Sequence, residues 1–398
     1  MLIRPFAAVR PNKEDAALVA SPPYDVLDTK EAKAIAGNND KSFLHVSRPE
    51  IDLPEGIDPS SPEAYAAAKS ALDSLMARGV LVKDAERRFY AYRQQMGSHS
   101  QTGIVAVFDT KEYLGGVIKQ HEKTRKDKED DRTRHIEILK AHTGPAFLTY
   151  REDKAIDELV REACKAAPLY DFTAPDGIIH TVWEIGGENS CAASEIEELF
   201  ARIKVAYIAD GHHRSAAASR YAREHDFEGE SRYYLAVAFP ANQLKILPYN
   251  RLVKDLAGLG EEEFLAKISS FFKVGEKGER NCRMYLNGKW IPLSWDLPSE
   301  GSVVSKLDVS YLQDHLLGPI LGIGDVRTDE RIFFMGGIRG EKALEDKVDS
   351  GEAAVAFSME SVTVEEMMAI ADAGEIMPPK STWFEPKLRS GLFIHQVE

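Results

Sequence analysis

The sequence predicts an α/β or α+β fold, and three observations support this expectation. Residues 205–209 form a short apolar run that ends at an Asp-Gly pair, which is typical of a buried strand. Residues 213–225 are rich in alanine and predict a helix, and residues 233–239 are apolar again and predict another strand. Strand-like and helix-like segments also alternate between residues 146 and 203. Such a succession favours a core in which helices pack against a sheet.

The same periodicities predict the other elements of the first half of the chain. Strands are expected at residues 2–9, 43–46, 88–93, 102–108 and 146–150, and helices at residues 62–78, 130–142 and 194–203. Glu197 stands three residues after Ser194, which matches a capping box at the start of the last of these helices.

A new unit is expected to begin near residues 255–260. Residues 261–272 and 363–373 predict helices, residues 353–357 predict a strand, and Asn287-Gly288 lies between two strand-like runs as in a β-hairpin. We therefore expect a catalytic core with inserted elements over residues 1–256. A C-terminal α/β domain over residues 257–398 would end in a candidate active-site loop.

Composition and charge exclude several classes of protein. The 398 residues are 43% hydrophobic and 29% charged, as in a globular protein rather than a disordered, collagen-like or coiled-coil chain. The net charge of −14 disfavours duplex DNA and anionic membranes as partners, because both attract a basic surface.

The cysteines and the apolar segments bear on the cellular location. Cys164, Cys191 and Cys282 are far apart, so neither a thiolate metal site nor a disulfide framework is predicted. The first residues contain no apolar signal-peptide core, and no stretch approaches the roughly 20 apolar residues of a membrane span. We therefore expect a cytoplasmic protein.

Residues 208–215, Ile-Ala-Asp-Gly-His-His-Arg-Ser, are the most informative segment. A strand that runs into a helix in this way presents unpaired amides and a positive helix end to an anion such as phosphate. The guanidinium of Arg214 can donate two hydrogen bonds to such an anion, and Gly211 lets the backbone approach the anion closely. Asp210 would repel phosphate unless it holds a metal ion or acts as a base, so the pattern favours phosphoryl transfer over anion storage. An ordinary Asp-Gly turn followed by two solvated histidines is the open alternative.

A second charged segment covers residues 119–135. Its His121-Glu122 pair can supply a general base, and the neighbouring lysines and arginines can neutralise a phosphorylated substrate. A solvated helix face accounts for the same density of charge, and this alternative also stays open.

Residues 377–387 form a third segment of interest. They contain two lysines, a Ser-Thr pair and three prolines, which predict a rigid polar loop able to close over a site. Lys380 and Lys387 are its candidate lid residues. A proline-rich surface connection is the alternative.

Familiar nucleotide and hydrolase motifs are absent from the sequence. Residues 336–342 have the wrong spacing for a Walker A motif and make no GxGxxG, and HExxH, GxSxG and the protein-kinase motifs are missing. If this chain binds a nucleotide, it must do so with an unusual fold that does not depend on these motifs.

Several segments, in one order along nearly the whole chain, resemble a known family. They are Arg4-Pro5-Phe6, residues 22–26 (Pro-Pro-Tyr-Asp-Val), 43–46 (Phe-Leu-His-Val), 121–124 (His-Glu-Lys-Thr), 143–145 (Thr-Gly-Pro), 210–214 (Asp-Gly-His-His-Arg), 247–251 (Leu-Pro-Tyr-Asn-Arg), 377–387 and 390–392 (Ser-Gly-Leu). The chain resembles the bacterial and archaeal proteins of the "domain of unknown function 1015" family. Its Asp-Gly-His-His-Arg segment is similar to that of the ParB/sulfiredoxin-like fold, which includes free L-serine kinases.

This resemblance implies a ParB/sulfiredoxin-like nucleotide-binding core with insertions, and a kinase activity. The enzyme would use ATP or ADP with Mg²⁺ to convert free L-serine into O-phospho-L-serine. Glu122 would be the catalytic base, and Asp210 would position the metal in a catalytic site shared with His212 and His213. The nucleotide- or phosphate-binding candidates are His121, Lys123, Thr124, Arg125, Gly211, Arg214, Ser215, Lys380 and Lys387.

The chain departs from the compact kinases in two ways, and two other functions stay open. About 90 residues separate Glu122 from the Asp-Gly-His-His-Arg segment, and roughly 140 C-terminal residues have no counterpart in those kinases. A non-enzymatic nucleotide or phosphometabolite sensor would bind nucleotide without turning it over. A ParB-like, nucleotide-dependent DNA-associated switch is disfavoured by the acidic charge and by the lack of a helix-turn-helix pattern. The expected partners are a nucleotide and a small alcohol, without nucleic acid or membrane.

Overall fold

The computed structural model describes residues 1–276, 278–297 and 300–398 of the chain. The helices of the described residues are α1 (Ala16–Val19), α2 (Thr29–Ala36), α3 (Leu44–Ser47), α4 (Pro62–Ala77), α5 (Thr110–Leu114), α6 (Lys126–Leu139), α7 (Lys154–Ala163), α8 (Cys191–Arg202), α9 (His212–Glu224), α10 (Glu261–Ile268), α11 (Asp308–Leu312), α12 (Gly340–Asp349) and α13 (Val364–Asp372). A π-helical turn, Gln313–Leu317, continues α11.

The strands are β1 (Ile3–Arg4), β2 (Val9–Pro11), β3 (Leu81–Lys83), β4 (Arg88–Met96), β5 (His99–Asp109), β6 (Ile118–Lys119), β7 (Ala141–His142), β8 (Ala146–Tyr150), β9 (Tyr170–Thr173), β10 (Ile179–Gly187), β11 (Ala206–Asp210), β12 (Tyr233–Pro240), β13 (Lys245–Leu247), β14 (Tyr249–Val253), β15 (Lys273–Val274), β16 (Arg280–Leu286), β17 (Lys289–Trp295), β18 (Ile332–Gly336), β19 (Val355–Met359), β20 (Trp383–Glu385) and β21 (His395–Gln396).

The described residues divide into two compact units. The first consists of Met1–Leu244 together with Pro386–Glu398, and the second of Lys245–Glu385. This division differs from the one expected at residues 255–260, because the second unit already begins at β13 and the closing residues return to the first unit.

A large mixed sheet forms the centre of the first unit. Its strands follow the order β6-β11-β8-β12-β5-β4-β10-β9, with β1 beside β5. Two of the pairings, β6 with β11 and β8 with β12, are parallel, and the others are antiparallel. All residues of β8 and β12 are buried, as expected for central strands that read as continuous apolar runs. The predicted mixed α/β architecture is confirmed.

Helices α7, α8 and α9 bury their apolar faces in the core around this sheet. Ile156 and Val160 of α7, Phe200 of α8, and Ala217 and Tyr221 of α9 belong to one cluster of buried residues. The alanines of α9 let this helix lie close to the sheet, which fixes where its first turn is placed.

An antiparallel sheet with the order β15-β17-β16-β19-β14-β18 forms the second unit. The predicted hairpin is present, since β16 and β17 are joined by Asn287 and Gly288 with φ values of 46° and 75°. Positive φ at both positions is what a two-residue hairpin turn of type I′ requires.

Three local predictions differ from the structure. The expected strand at residues 43–46 is the short helix α3, because a run of four residues with three apolar ones fits a buried helical turn as well as a strand. Helix α8 is capped by Ser190, whose hydroxyl accepts a hydrogen bond from the N–H of Ala193, and not by Ser194. The expected strand at residues 2–9 is divided into β1 and β2.

No helix among the described residues is both long enough and apolar enough to cross a membrane.

Candidate functional site

Two parallel strands bring the two charged segments of the sequence together. β6 runs parallel to β11, with Ile118 paired to Ala206. Parallel strands end at the same edge of a sheet, so the segment after β6 lies beside the segment after β11. The rings of His121 and His212 accordingly meet edge to face, with their centroids 4.5 Å apart.

The turn between β11 and α9 requires a glycine at position 211. Gly211 has a φ of +88°, and a Cβ there would lie 3.1 Å from the guanidinium carbon of Arg214 and 3.3 Å from Cα of Ala146. The absence of a side chain lets α9 begin directly against β8, with the guanidinium of Arg214 folded over the turn.

Asp210, the last residue of β11, lies between two cations. Its Oδ1 is 3.3 Å from Nζ of Lys387, and its Oδ2 accepts a hydrogen bond of 3.0 Å from Nη2 of Arg214. Burial alone would raise the pKa of Asp210, but Lys387 and Arg214 outweigh it and lower this pKa to about 2. Asp210 is therefore ionised throughout the ordinary assay range. We refer to these three residues as the ion cluster.

Arg214 connects the ion cluster to two further segments. Its Nη1 donates a hydrogen bond to the carbonyl oxygen of Pro145, and its Nη2 lies 3.7 Å from Oδ2 of Asp25. Burial alone would lower the pKa of Arg214, but Asp25 and then Asp210 raise it above its usual value. Pro145 and Asp25 lie in two of the segments that carry the family resemblance, but neither segment was predicted to contribute to the site.

The histidines of this edge are neutral at pH 7. Burial lowers the pKa of His121 to about 4, that of His212 far below its usual range, and that of His213 to a smaller extent. Nε2 of His213 accepts a hydrogen bond of 3.0 Å from the backbone N–H of Arg125, which places the proton of a neutral ring on Nδ1. Nε2 of His212 is buried and has no partner among the described residues. Such an atom marks a place where a ligand can bind.

The remaining candidate site residues of this segment lie between β6 and α6. Glu122 is half-buried directly after His121, and Lys123 is exposed. Thr124 and Arg125 follow, and the guanidinium of Arg125 is paired with Asp127 at 2.7 Å. The backbone N–H of Arg125, and not its guanidinium, therefore hydrogen-bonds His213.

Two of the predicted phosphate-binding residues, Ser215 and Lys380, do not contact the ion cluster through any interaction described for them. Ser215 is fully buried with its hydroxyl beside Tyr234, and its N–H donates to the carbonyl oxygen of Gly211 at 3.0 Å. This placement does not support phosphate binding by Ser215. Lys380 belongs to the second unit, where its ammonium lies 5.3 Å from the ring centroid of Tyr249.

The side chains offer a limited metal site. No group of three His, Cys, Asp or Glu side chains in the described parts of the chain is arranged to hold a metal ion. Mg²⁺ does not need such a group, because it is commonly held by one or two carboxylates, water and the phosphates of a nucleotide. The ionised Asp210 is a ligand of this kind, and each of its oxygens retains a lone pair beyond its contact with Lys387 or Arg214.

A cavity of about 40 Å³ lies beside Arg214 and Tyr24. Residues of α6 and β7 line it, and several of its polar atoms are buried without a partner among the described residues: Oγ of Ser47, Nε2 of His135 and Nε2 of His142. Burial lowers the pKa of both histidines to about 3, so both rings are neutral. A small polar molecule in this cavity would form hydrogen bonds with these atoms. No spacing in the sequence predicts that Ser47, His135 and His142 lie together.

Fold and site together define a mixed α/β protein with an ion cluster and neutral histidines at one edge of its sheet. The chain belongs to the family described as protein of unknown function (DUF1015), whose model matches residues 3–310. The resemblance inferred from the sequence is thereby confirmed. No curated protein matches the chain.

Several solved structures match part of this chain at low similarity, and three of them are described here. A free serine kinase in complex with AMP has a TM-score of 0.38 and 15% identity, over 74% of this chain and 91% of that chain. A conserved hypothetical protein from Pyrococcus furiosus has a TM-score of 0.36 and 14% identity, over 73% and 94%. SbnI with a C-terminal truncation, from Staphylococcus aureus, has a TM-score of 0.38 and 11% identity, over 72% and 85%. At such low identities and TM-scores, these likenesses carry no argument about activity.

Proposed function

We propose that this protein is a nucleotide-dependent small-molecule kinase that phosphorylates the hydroxyl of free L-serine or a similar small alcohol, with ATP or ADP as donor. The observation that carries the proposal is the ion cluster at the start of α9. Two cations and the unpaired amides of a helix end favour phosphate groups, whereas a carboxylate fixed between them has no use in simple anion binding. Together they match the needs of phosphoryl transfer. The proposed core is the ParB/sulfiredoxin-like fold.

Mg²⁺ would take one ligand from Asp210 and the others from nucleotide phosphates and water. When bound, it would neutralise negative charge on those phosphates. Lys387 and Arg214 would contact the phosphoryl group that is transferred and stabilise its charge in the transition state.

In the proposed reaction, the hydroxyl oxygen of the acceptor bonds to the terminal phosphorus while the bond from that phosphorus to the nucleotide oxygen breaks. The hydroxyl proton passes to the carboxylate of Glu122. Asp210 is a poor choice for this base, because a carboxylate with a pKa of about 2 has little affinity for a proton. Nε2 of His212 is free to hydrogen-bond the acceptor and orient it.

The cavity beside Arg214 supports a small polar acceptor. Its volume of about 40 Å³ exceeds the roughly 10–15 Å³ that one water molecule needs, and its unpartnered histidine and serine atoms are polar. These features suit the head of a free amino acid better than an apolar alcohol.

The test is an end-point assay read by mass spectrometry. The purified full chain is incubated with Mg²⁺, ATP or ADP, and a pool of free amino acids and hydroxy metabolites. We expect phosphoserine, and we expect Glu122→Gln and Asp210→Asn to abolish it. Bound nucleotide with no phosphorylated product would overturn the kinase and leave a nucleotide sensor as the better account.

A further inference from the structure

The second unit contains a larger cavity that the proposed kinase does not use. Its volume is about 250 Å³, and it lies at the π-helical turn after α11. Its lining residues include Arg251, Gln313, Leu317, Phe334, Pro378 and Pro379. All of them belong to the second unit. We call it the Arg251 cavity.

Arg251 contributes an uncompensated positive charge to this cavity. Its side chain is on β14 and the residue is only 3% exposed, yet it forms no salt bridge with any described residue. The one hydrogen bond of its side chain to a described residue is from Nη1 to the carbonyl oxygen of Tyr249, and its guanidinium lies 5.5 Å from the ring centroid of Phe334. Burial lowers the pKa of Arg251 to about 10, so it is still charged at neutral pH. Buried arginines are usually paired with a carboxylate, whereas Arg251 lines the cavity with no such partner among the described residues.

Gln313 supplies a second polar group without a partner. Its Nε2 donates to the carbonyl oxygen of Ile323 at 2.8 Å, which fixes the amide, while its Oε1 is buried and has no partner in the described parts of the chain. Gln313 begins the π-helical turn, a feature often found where a helix is adapted to a ligand. The cavity therefore offers a cationic donor and a fixed acceptor.

The other walls are mostly apolar, with one carboxylate, Asp325, and one exposed arginine, Arg327. Leu317 and Phe334 present carbon surface, together with the two prolines. Asp325 also lines the cavity, but its Oδ1 accepts a hydrogen bond of 2.9 Å from the N–H of Arg327, and it makes no salt bridge with Arg251. Asp325 therefore does not neutralise the buried guanidinium.

We propose that the Arg251 cavity is a binding site for a small organic anion. Its carboxylate or phosphate group pairs with the guanidinium of Arg251, and its apolar part packs against Leu317 and Phe334. A donor on the ligand can reach Oε1 of Gln313. The two forms of the anion share this chemistry, because both match the planar fork of an arginine. This site does not depend on the proposed kinase activity.

Titration calorimetry on the full chain tests the site with four small probes. They are benzoate, phenyl phosphate, inorganic phosphate and the neutral analogue benzamide. We expect saturable binding of benzoate or phenyl phosphate, and whichever binds more tightly identifies the anionic group. Benzamide should bind at least tenfold more weakly. Equal affinity for benzamide, or no binding of either aromatic anion, would overturn the proposal.

Variants locate the binding to this cavity. Arg251→Met should weaken the aromatic anion at least tenfold, whereas Arg283→Met, which removes a partly exposed arginine of β16, should not change it. Val326→Trp fills the cavity from a half-exposed loop position and keeps Arg251, so it tests the site even if Arg251→Met does not fold. Unchanged binding in the folded Val326→Trp variant would contradict the proposal.

Discussion

The ammonium of Lys387 lies 3.3 Å from the carboxylate of Asp210, although 177 residues separate them along the chain. The backbone of Lys387 is fixed independently, since its carbonyl oxygen accepts a hydrogen bond of 2.8 Å from Nε2 of Gln94 in the central sheet. The closing residues Pro386–Glu398 thus complete the ion cluster after the second unit has intervened.

Replacing Lys387 should impair catalysis more than folding. Lys387→Met removes one of the two cations beside Asp210, and we expect kcat to fall roughly 10²- to 10³-fold, as for the loss of one charge-stabilising donor. Initial rates of phosphoserine formation measure the effect. Lys111→Met, an exposed lysine of α5, is the matched control and should leave the rate unchanged. Equal rates for the two variants would show that Lys387 does not act on the phosphoryl group.

The charge of Asp210 should also contribute to stability in a pH-dependent manner. The pKa of Asp210 is lowered from 3.8 to about 2, so its contribution is fully present above about pH 4 and is lost as the pH falls towards 2. The contribution is roughly 2 kcal/mol at neutral pH. We expect Asp210→Asn to lower the free energy of unfolding by about this amount at pH 6 and by progressively less between pH 4 and pH 2.

Denaturant titrations at several pH values measure this difference. Asp73→Asn, which removes an exposed carboxylate of α4, controls for the loss of one negative charge at the surface. A stability difference for Asp210→Asn that stays constant from pH 6 to pH 3 would contradict the ion cluster.

A methyl group at position 211 should disrupt the turn. Gly211→Ala adds a Cβ 3.1 Å from the guanidinium of Arg214 at a φ of +88°, so both backbone strain and a steric conflict result. Gly116→Ala is the matched control, because its φ is +76° but nothing lies within 4 Å of the added Cβ. Both should lose about 1 kcal/mol to backbone strain. Only Gly211→Ala should in addition lose nucleotide affinity, which calorimetry measures, and a normal affinity would argue against a phosphate site at this turn.

Glu122 should affect the chemical step and not nucleotide binding. Glu122→Gln removes the proposed base while keeping its shape, so we expect kcat to fall 10²- to 10⁴-fold with the nucleotide Kd unchanged. Glu137→Gln on α6, an exposed glutamate, is the control. A Glu122→Gln enzyme of normal kcat would assign the base to another residue, and a weaker nucleotide Kd would indicate a structural role.

Elements whose structure depends on a few adjacent residues were predicted correctly from the sequence. The strand-turn-helix at Asp210-Gly211 and the hairpin at Asn287-Gly288 were predicted, because each depends on a few adjacent residues with restricted backbone preferences. The strand expected at residues 43–46 was wrong, because a run of four residues with three apolar ones is too short to show a period that distinguishes strand from helix.

The contacts that complete the site could not be predicted. The approach of Asp25 to Arg214 depends on how segments distant in sequence meet. The same is true of the small cavity, where the Nε2 atoms of His135 and His142 have no partner among the described residues. Lys387 was selected as a lid residue from composition, but its pairing with Asp210 follows only from the return of the closing segment to the first unit.

Phosphorus NMR of the full chain with ATP or ADP, Mg²⁺ and L-serine distinguishes phosphoryl transfer to serine from hydrolysis of the nucleotide. We expect a phosphomonoester resonance of O-phosphoserine that grows as the terminal phosphate of the nucleotide disappears, in equal amounts, and that is absent with Asp210→Asn. Loss of the terminal phosphate to inorganic phosphate alone, or a phosphoserine signal of equal rate in Asp210→Asn, would contradict phosphoryl transfer at the ion cluster.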